Sequence, residues 1–496
     1  MLKIQVGHSY FLRYDPKQWE RGKPYPPLAT IQVAALLREM GHELALFDAM
    51  LADGVEDYAG ALRAAQPDLV VIYEDNFNYL TKMCLSRMRD AACQMIAEAR
   101  ASGARVIVAG SDASDQPEAF LAAGADAVLV GEGIAALAAL VDRLQHTPDI
   151  DPARWTAGLP GVATLVEGQT QLVRVGAVPP DPRVVGRPAW DLVDIERYRS
   201  LWQERHGYFS LNMAASRGCP FRCNWCAKPI WGNHYKQRNA EDVAAEMTYL
   251  KRTFQPDHIW MADDIFGFHV GWVTAFAEHL RDTDGSIPFT IQTRADLGSD
   301  RMVAALAEAG CAEAWIGAES GSQRVLDRMN KGTTVAELIA ARRRFGEHGV
   351  RVGFFIQRGY LGEQLTDLLA TRDLVAEAAP DDIGVSVSYP LPGTKFYEEV
   401  KEQLGRKTHW RDSNDLAMMF RGAYDSDFYR SMRDLLHQQV NLRQSRDTLS
   451  AARRSEAHAL LEANWNTLFA HEAEHRSEQP TPSPFSAMQT IALPLL

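Results

Sequence analysis

The sequence is poor in cysteine, in positive charge and in long apolar runs. Its 496 residues include six cysteines, and 52 Lys and Arg against 64 Asp and Glu give a net charge of −12 at pH 7. Six unevenly spaced cysteines exclude a disulfide scaffold, and the acidic balance argues against a nucleic-acid-binding surface. No run approaches the roughly 18 apolar residues of a membrane span, and the N-terminal residues turn polar too soon for a signal peptide. We therefore expect a cytoplasmic protein.

The chain has an ordinary apolar content of 46%, and at roughly 150 residues per domain its length predicts about three units. Residues 1–150 alternate short apolar strands with helical patterns, which predicts an α/β, doubly wound domain with a parallel sheet. A single helix is expected over 79–101, ending before Gly103. The predicted strands cover residues 2–6, 43–48, 69–73, 105–109 and 127–130.

Residues 151–205 are rich in proline, which breaks long helices, so we interpret them as a linker with a small hairpin around Gly168. The alternation of strands and helices resumes over 206–398 and predicts a partial (β/α)6 barrel. Within it, Thr334 and Glu337 form a capping-box pattern at the start of a helix. Residues 399–476 are expected to be a helical C-terminal region, and 477–496 a flexible tail. The six barrel strands are predicted at 210–215, 258–262, 289–292, 313–317, 352–357 and 383–388.

The most specific feature is a Cys-x3-Cys-x2-Cys spacing formed by Cys219, Cys223 and Cys226. The glycine and proline on either side of Cys219 favour a loop, in which three thiolates can converge on one metal centre. A structural zinc site would need a fourth ligand, for which His234 is a candidate. On an iron–sulfur cluster, three thiolates would instead leave one iron open to a small molecule.

With Trp225 ahead of the third cysteine, this loop resembles the C-x3-C-Φ-C motif of the radical S-adenosylmethionine (SAM) superfamily. The resemblance continues through polar stretches at the ends of the barrel strands. It implies that the three cysteines hold a [4Fe–4S] cluster whose fourth iron chelates SAM. It also implies that a 5′-deoxyadenosyl radical removes hydrogen from an unactivated carbon, and that the enzyme is oxygen-sensitive. The stretches begin at Met261, Gln292, Gly317, Gln357 and Tyr389.

The same resemblance assigns SAM-binding residues around the barrel mouth. Arg294 would bind the methionine carboxylate through its guanidinium fork, and Glu319 and Ser320 would bond the amino group or the ribose. Asp263 and Asp264 stand where the family commonly has Gly-Gly-Glu, and which of them orients the amino group stays open. The expected SAM contacts are Trp225, Asp263, Asp264, Gln292, Arg294, Glu319, Ser320 and Gln357.

The N-terminal domain has no G-x-G-x-x-G after its first strand, which argues against nicotinamide binding. It resembles the cobalamin-binding domain of radical enzymes that include anaerobic porphyrin cyclases and phosphorus or carbon methylases. The Asp-x-His-x-x-Gly that supplies a histidine beneath cobalt is absent, since Asp48 is followed by Ala49 and Met50. Either cobalt has no such ligand here or the pocket has been lost. The expected cobalamin contacts are His8, Tyr73, Asp75, Asn76, Gly110, Ser111, Gly131, Glu132 and Gly133.

Taken together, the resemblances imply a cobalamin-dependent radical SAM enzyme, foremost a methyltransferase acting on an unactivated carbon of a small metabolite. Two alternatives are a radical SAM oxidative cyclase or rearrangement enzyme without net methyl transfer, and a non-catalytic metal-binding protein. A flavodoxin or ferredoxin is implied as electron donor. Trp231, Trp260 and Trp315 are expected in the aromatic core, with a substrate pocket as the alternative. The sequence predicts no individual catalytic residue.

Overall fold

The computed structural model describes residues 1–173, 187–226, 230–445 and 450–477. The strands of its first sheet are β1 Lys3–Gly7, β2 Glu43–Phe47, β3 Leu69–Tyr73, β4 Arg105–Ala109, β5 Ala127–Leu129, β6 Val162–Val166 and β7 Gln169–Leu172. They lie in the order β2-β1-β3-β4-β5-β6-β7. Strands β1 to β5 pair in parallel, and β6 and β7 add an antiparallel hairpin beside β5.

Helices pack on this sheet much as the sequence predicts. They are α1 Pro16–Arg21, α2 Leu28–Glu39, α3 Glu56–Ala65, α4 Tyr79–Lys82, α5 Ser86–Ala101, α6 Ser111–Asp115, α7 Pro117–Ala122, α8 Ile134–His146 and α9 Pro152–Thr156. The helix expected over 79–101 is divided into α4 and α5. The break falls at Cys84, whose φ of 53° lies in the left-handed region that a helix cannot contain.

The segment interpreted as a linker contains more structure than the proline content indicates. The hairpin around Gly168 is present, but it belongs to the first sheet and makes that sheet mixed. Further on, helix α10 Ile195–His206 packs against the N-terminal domain, where the Trp202 indole donates a hydrogen bond to the Pro24 carbonyl at 2.7 Å. Pro179, Pro180 and Pro182 lie outside the described residues.

The second sheet is the predicted partial barrel. Its parallel strands are β8 Ser210–Met213, β11 His258–Met261, β12 Phe289–Thr293, β13 Cys311–Glu319, β14 Arg351–Arg358 and β15 Asp382–Val387, while β9 Ser216–Gly218 and β10 Tyr235–Gln237 form a separate hairpin. The accompanying helices are α11 Ala240–Phe254, α12 Val270–Thr283, α13 Asp300–Ala309, α14 Gln323–Arg328, α15 Val335–Glu347 and α16 Leu365–Ala378. The capping box of Thr334 and Glu337 is formed at the start of α15.

The C-terminal region consists of α17 Lys395–Val400, α18 Ser426–Gln444 and α19 Ala451–Ala470. Between α17 and α18 the chain returns to the N-terminal domain. There the Ser86 amide donates to the Trp410 carbonyl at 2.9 Å, and the Ser413 hydroxyl donates to Asp15 at 2.6 Å. None of the helices in the described parts of the chain is long and apolar enough to cross a membrane. The tail expected to be flexible lies, from residue 478 onward, outside the described residues.

Candidate active site

The cysteine loop begins where β9 ends, and one glycine shapes its start. Gly218 has a φ of 76° and pairs with Tyr235 across the β9–β10 hairpin. A Cβ at this position would lie 2.2 Å from the His234 carbonyl oxygen, so no other residue fits without moving the hairpin. Glycine therefore sets the direction in which the chain enters the loop that carries Cys219.

Backbone hydrogen bonds hold the loop against the barrel. The Asn224 amide donates to the Met329 carbonyl at 2.8 Å, and the Phe396 amide donates to the Asn224 carbonyl at 3.1 Å. The Asn330 side chain donates to the Arg222 carbonyl at 2.8 Å. Trp225 packs against the apolar cluster that contains Phe396. Elements far along the chain thus hold the loop in place.

The three cysteines are half-buried and form no disulfide. In the described parts of the chain, no three His, Cys, Asp or Glu side chains converge at the spacing that holds a single metal ion.

Arg294 lies beside this loop, and its guanidinium already has partners. Its Nε and Nη2 are 2.9 and 3.0 Å from the Asp296 carboxylate oxygens, and Nη2 also donates to the Lys331 carbonyl at 2.7 Å. Its Nη1 is 3.9 Å from the Cys223 sulfur, and the guanidinium stacks on Phe221 at 3.7 Å. A carboxylate arriving at Arg294 would therefore have to share the guanidinium with Asp296.

A buried ion pair lies next to Arg294 and Cys223. Lys331 Nζ is 2.7 Å from Glu319 Oε1, and both side chains are almost fully buried. Burial alone would lower the pKa of Lys331, but the charges of Glu319 and Cys223 raise it above its usual value. Glu319 has a φ of 59°, an uncommon conformation for a residue other than glycine that often marks functional sites.

The two aspartates expected near SAM lie in different surroundings. Asp263 is 1% exposed and accepts hydrogen bonds from the Ser216 hydroxyl and, at 3.1 Å, the Ala215 amide. Burial raises its pKa to about 7. Asp264 instead forms an ion pair with Lys82 of the N-terminal domain. In this arrangement Asp263 supports β9 and Asp264 joins the two domains.

The remaining residues expected at SAM differ in whether their polar atoms already have hydrogen-bond partners. The Ser320 hydroxyl lies 3.2 Å from that of Thr371 on α16, so it supports the turn after β13. Gln292 is in register with Trp315, and Gln357 is 5% exposed with its Oε1 buried and without a hydrogen-bond partner. Gln357 is thus available to a ligand, whereas Ser320 is already engaged.

At the first sheet, polar groups are buried where the parallel strands end. His8 follows β1, and its Nε2 is 3.1 Å from Asp48, whose second oxygen accepts the Tyr198 hydroxyl at 2.7 Å. Burial would lower the pKa of His8, yet the Asp48 carboxylate raises it above its usual value. The Nδ1 of His8 is buried without a partner.

The residues after β3 extend this polar edge. The Tyr73 hydroxyl donates to the Glu132 carbonyl at 2.7 Å, which ties the ends of β3 and β5 together. Asp75 accepts the Ala29 amide at 3.0 Å, and burial raises the pKa of Asp75. The Oδ1 of Asn76 is buried without a partner.

Glycines after β4 and β5 shape the rest of the edge. A Cβ at Gly110 would lie 2.7 Å from the Glu74 Cγ, so that turn needs glycine for close contact. Gly131 and Gly133 have φ values of 80° and 65° and lead into α8. The Ser111 hydroxyl is buried without a partner. All nine residues expected to contact cobalamin thus lie along one edge of the sheet.

This edge meets the cysteine loop directly. Glu132 Oε1 lies 2.7 Å from the Nη1 of Arg217, two residues before Cys219, and Arg217 Nη2 donates to Gln32 at 2.6 Å. The Phe77 and Trp231 rings pack at 5.2 Å across the same boundary. A small cavity lies between these side chains. The polar edge and the cysteine loop therefore form one continuous site.

Comparison with known proteins identifies both halves of this site. Residues 20–141 match the family model for the B12 binding domain, and residues 213–375 match that for the radical SAM superfamily. The chain thus carries a B12 binding domain followed by a radical SAM domain. A [4Fe–4S] cluster, SAM and cobalamin are its cofactors.

The similarity to known proteins extends over most of the chain. An uncharacterized methyltransferase from Pyrococcus horikoshii is 26% identical over 404 residues, which cover 79% of this chain and 82% of that protein. Among solved structures, the radical SAM methyltransferase TsrM from Kitasatospora setae is 19% identical, with a TM-score of 0.65 over 81% of this chain and 75% of its own. The cobalamin-dependent radical SAM enzyme OxsB is 16% identical, with a TM-score of 0.69 over 95% and 72%. These two structures show that the fold is shared.

The residues present fit the cofactors that these two domains imply. Three thiolates in a loop flanked by the cations of Arg294 and Lys331 suit an iron–sulfur cluster, because cations favour ionised sulfur. Unpartnered polar atoms of His8, Asn76 and Ser111 offer hydrogen bonds to a large polar ligand along the first sheet.

Two residues of this site were not singled out by the sequence. Arg217 directly precedes the cysteine loop, so its position next to a recognisable motif could have drawn attention to it. Lys331 had no such signal, because it meets Glu319 only through the fold.

Proposed function

We propose that this enzyme transfers a methyl group from SAM to an unactivated carbon of a small molecule. When bound, the cluster with SAM supplies a carbon-centred radical, and cobalamin supplies the methyl group. One such methylation consumes two SAM molecules and two electrons. It yields one S-adenosylhomocysteine, one methionine, one 5′-deoxyadenosine and the methylated product.

One observation carries the proposal: the cobalamin edge and the cysteine loop are joined by the buried contact of Glu132 with Arg217. A methyl donor held at the first sheet and a radical formed at the cysteine loop have to act on the same carbon. Their direct apposition meets that requirement, and it also keeps water away from reactive species.

The surroundings of each residue suggest its role. Cys219, Cys223 and Cys226 would hold the cluster. Arg294 and Glu319 would bind SAM, with Lys331 fixing the carboxylate of Glu319 at 2.7 Å.

Three residues with buried, unpartnered atoms would form hydrogen bonds to cobalamin: His8, Asn76 and Ser111.

We further propose that the chain is divided into a cobalamin domain, a radical barrel and a C-terminal region. We also propose that the protein is cytoplasmic and that an acidic flavodoxin or ferredoxin is its electron donor.

The proposal can be tested before the substrate is known. The reconstituted protein, loaded with cobalamin and reduced, should convert SAM to S-adenosylhomocysteine, and the same protein without cobalamin should not. An oxidative cyclase or rearrangement enzyme would form 5′-deoxyadenosine from SAM and no S-adenosylhomocysteine.

Cys223→Ala is the matched control, because it removes one cluster ligand and leaves the first sheet unchanged. It should lose 5′-deoxyadenosine formation and most of the iron. If the loaded wild-type protein forms 5′-deoxyadenosine without S-adenosylhomocysteine, methyl transfer is refuted.

A further inference from the structure

The inner face of the barrel sheet carries two aromatic rings that the site described above does not use. Trp315 on β13 and Phe355 on β14 are half-buried, whereas their neighbours Ile316 and Phe354 are fully buried. Successive residues of a strand point to opposite faces, and α13 and α15 pack on these two strands. Trp315 and Phe355 therefore lie on the face away from the helices, inside the barrel.

Two glycines let these rings lie over the sheet. Gly353 pairs in register with Trp315, and Gly384 pairs with Phe355. A Cβ at Gly353 would lie 2.5 Å from the Trp315 indole, and one at Gly384 would lie 3.2 Å from the Phe355 ring. The two rings stack with centroids 4.8 Å apart and planes 29° apart. The Trp315 indole therefore lies over the backbone of β14 and stacks on Phe355, so the pair presents aromatic carbon to the interior of the barrel.

A hydrogen bond near the start of β13 also fixes the orientation of the indole. Trp315 Nε1 donates to Glu313 Oε2 at 3.1 Å. Glu313 belongs to a polar row across the start of the strands, in which Thr290 donates to it at 3.4 Å and His258 contacts Thr290 at 2.8 Å. Because its only polar atom is used in this row, the accessible part of Trp315 is an aromatic carbon surface.

One buried polar atom on the same face has no partner. Gln357 follows Phe355 by two residues, so both side chains share the inner face, and the Gln357 Oε1 is buried and unpartnered. Strand β14 runs from these residues toward the mouth, where Arg294 and Glu319 lie. An amide oxygen at the upper edge of an aromatic surface can accept one hydrogen bond from a ligand lying on the rings.

We propose that Trp315 and Phe355 form a stacking platform for a planar, conjugated ring of the substrate, and that Gln357 accepts a hydrogen bond from an O–H or N–H group on that ring. Aromatic faces favour flat π-systems over saturated rings of the same size. This inference rests on the proposed function, since it names the substrate class of that reaction, but it is tested by binding without turnover.

The test uses 2-naphthol and its saturated analogue decahydro-2-naphthol, which have the same skeleton and hydroxyl. Ligand-observed saturation-transfer NMR with the purified full-length protein should show 2-naphthol binding roughly fivefold tighter than the analogue. Trp315→Leu and Phe355→Leu should each weaken 2-naphthol by roughly fivefold. The wild type should also bind 2-naphthol more tightly than naphthalene, because only the naphthol hydroxyl can donate to Gln357. In Gln357→Leu this preference should disappear. Phe469→Leu is the matched control, because Phe469 is also half-buried but lies on α19, and it should bind as the wild type does.

Three results would overturn the platform. Equal binding of the saturated analogue would show a merely apolar surface, and equal loss in Phe469→Leu would show non-specific binding. Displacement of 2-naphthol by S-adenosylhomocysteine would assign the rings to the adenine of SAM. If the ring-binding pattern holds but no S-adenosylhomocysteine forms in the turnover test, the proposed function fails and the platform stands.

Discussion

Breaking the contact between Arg217 and Glu132 should loosen the junction of the two domains. The side chains are 7% and 6% exposed, and the shortest N–O distance is 2.7 Å. Removing one partner of a buried ion pair leaves an uncompensated charge and typically costs about 3–5 kcal/mol. Replacing both partners with apolar residues of similar size is often nearly neutral. We therefore expect Arg217→Met to lower the free energy of unfolding by about 3 kcal/mol or more, and Glu132→Leu added to it to restore most of that loss.

Urea unfolding of the cofactor-free protein, followed by tryptophan fluorescence, measures these differences. The matched control is Arg281→Met, because Arg281 pairs with Glu308 in the same barrel while both are more than half exposed. Exposed pairs contribute about 1 kcal/mol or less. Two results would refute a buried ion pair at this junction. Arg217→Met would lower the free energy of unfolding no more than the control does, or the double variant would lose the sum of the two single effects.

Two further changes test the loop entry and the buried carboxylates. Gly218→Ala should abolish most iron binding, because its Cβ would clash with the His234 carbonyl. Gly393 is the matched control, since its φ is also positive but no atom lies within 4 Å of the added Cβ. Iron analysis should therefore find Gly393→Ala near the wild type. Burial raises the pKa of Glu363 to about 7, so the folded state holds its proton more tightly than the unfolded state. The contribution of protonated Glu363 to the free energy of unfolding is therefore present at low pH. It is lost as the pH rises from about 4.5 to 7, by up to about 3 kcal/mol. Urea titrations of the cofactor-free protein should show a smaller decline in Glu363→Gln, and an unchanged pH slope would contradict the shift.

The sequence predicted the features that depend on neighbouring residues. Strand β3 and the capping box of Thr334 are present as expected, because a short apolar run and a helix cap each depend on only a few neighbouring residues. The division of the helix at Cys84 was missed, since nothing in the local pattern demands a left-handed residue there.

Contacts between distant residues could not be predicted in the same way. The hairpin at residues 162–172 looked isolated because its pairing with β5 depends on the whole sheet. Ser320 stays a predicted SAM contact, but the sequence did not show that its hydroxyl contacts that of Thr371, 51 residues later. Arg294 was expected to bind the methionine carboxylate, which stays a prediction, but the sequence did not show that the turn after β12 brings Asp296 onto the same guanidinium. A sequence motif thus predicts which residues lie at the mouth of the barrel. Tertiary packing decides which of their polar atoms are still free to bond a ligand.

The residues of this site fall into two groups, according to whether their polar atoms already have hydrogen-bond partners. Groups whose polar atoms are already satisfied, such as Ser320 and Asp263, maintain the shape of the mouth, and replacing them should act mainly on stability. Buried groups with an unpartnered atom, such as His8, Asn76 and Gln357, carry a desolvation cost that only a ligand or water can relieve. Cofactor or substrate binding should therefore stabilise the protein most through these three residues. Replacing one of them by an apolar residue should weaken ligand binding while leaving the ligand-free protein equally or more stable.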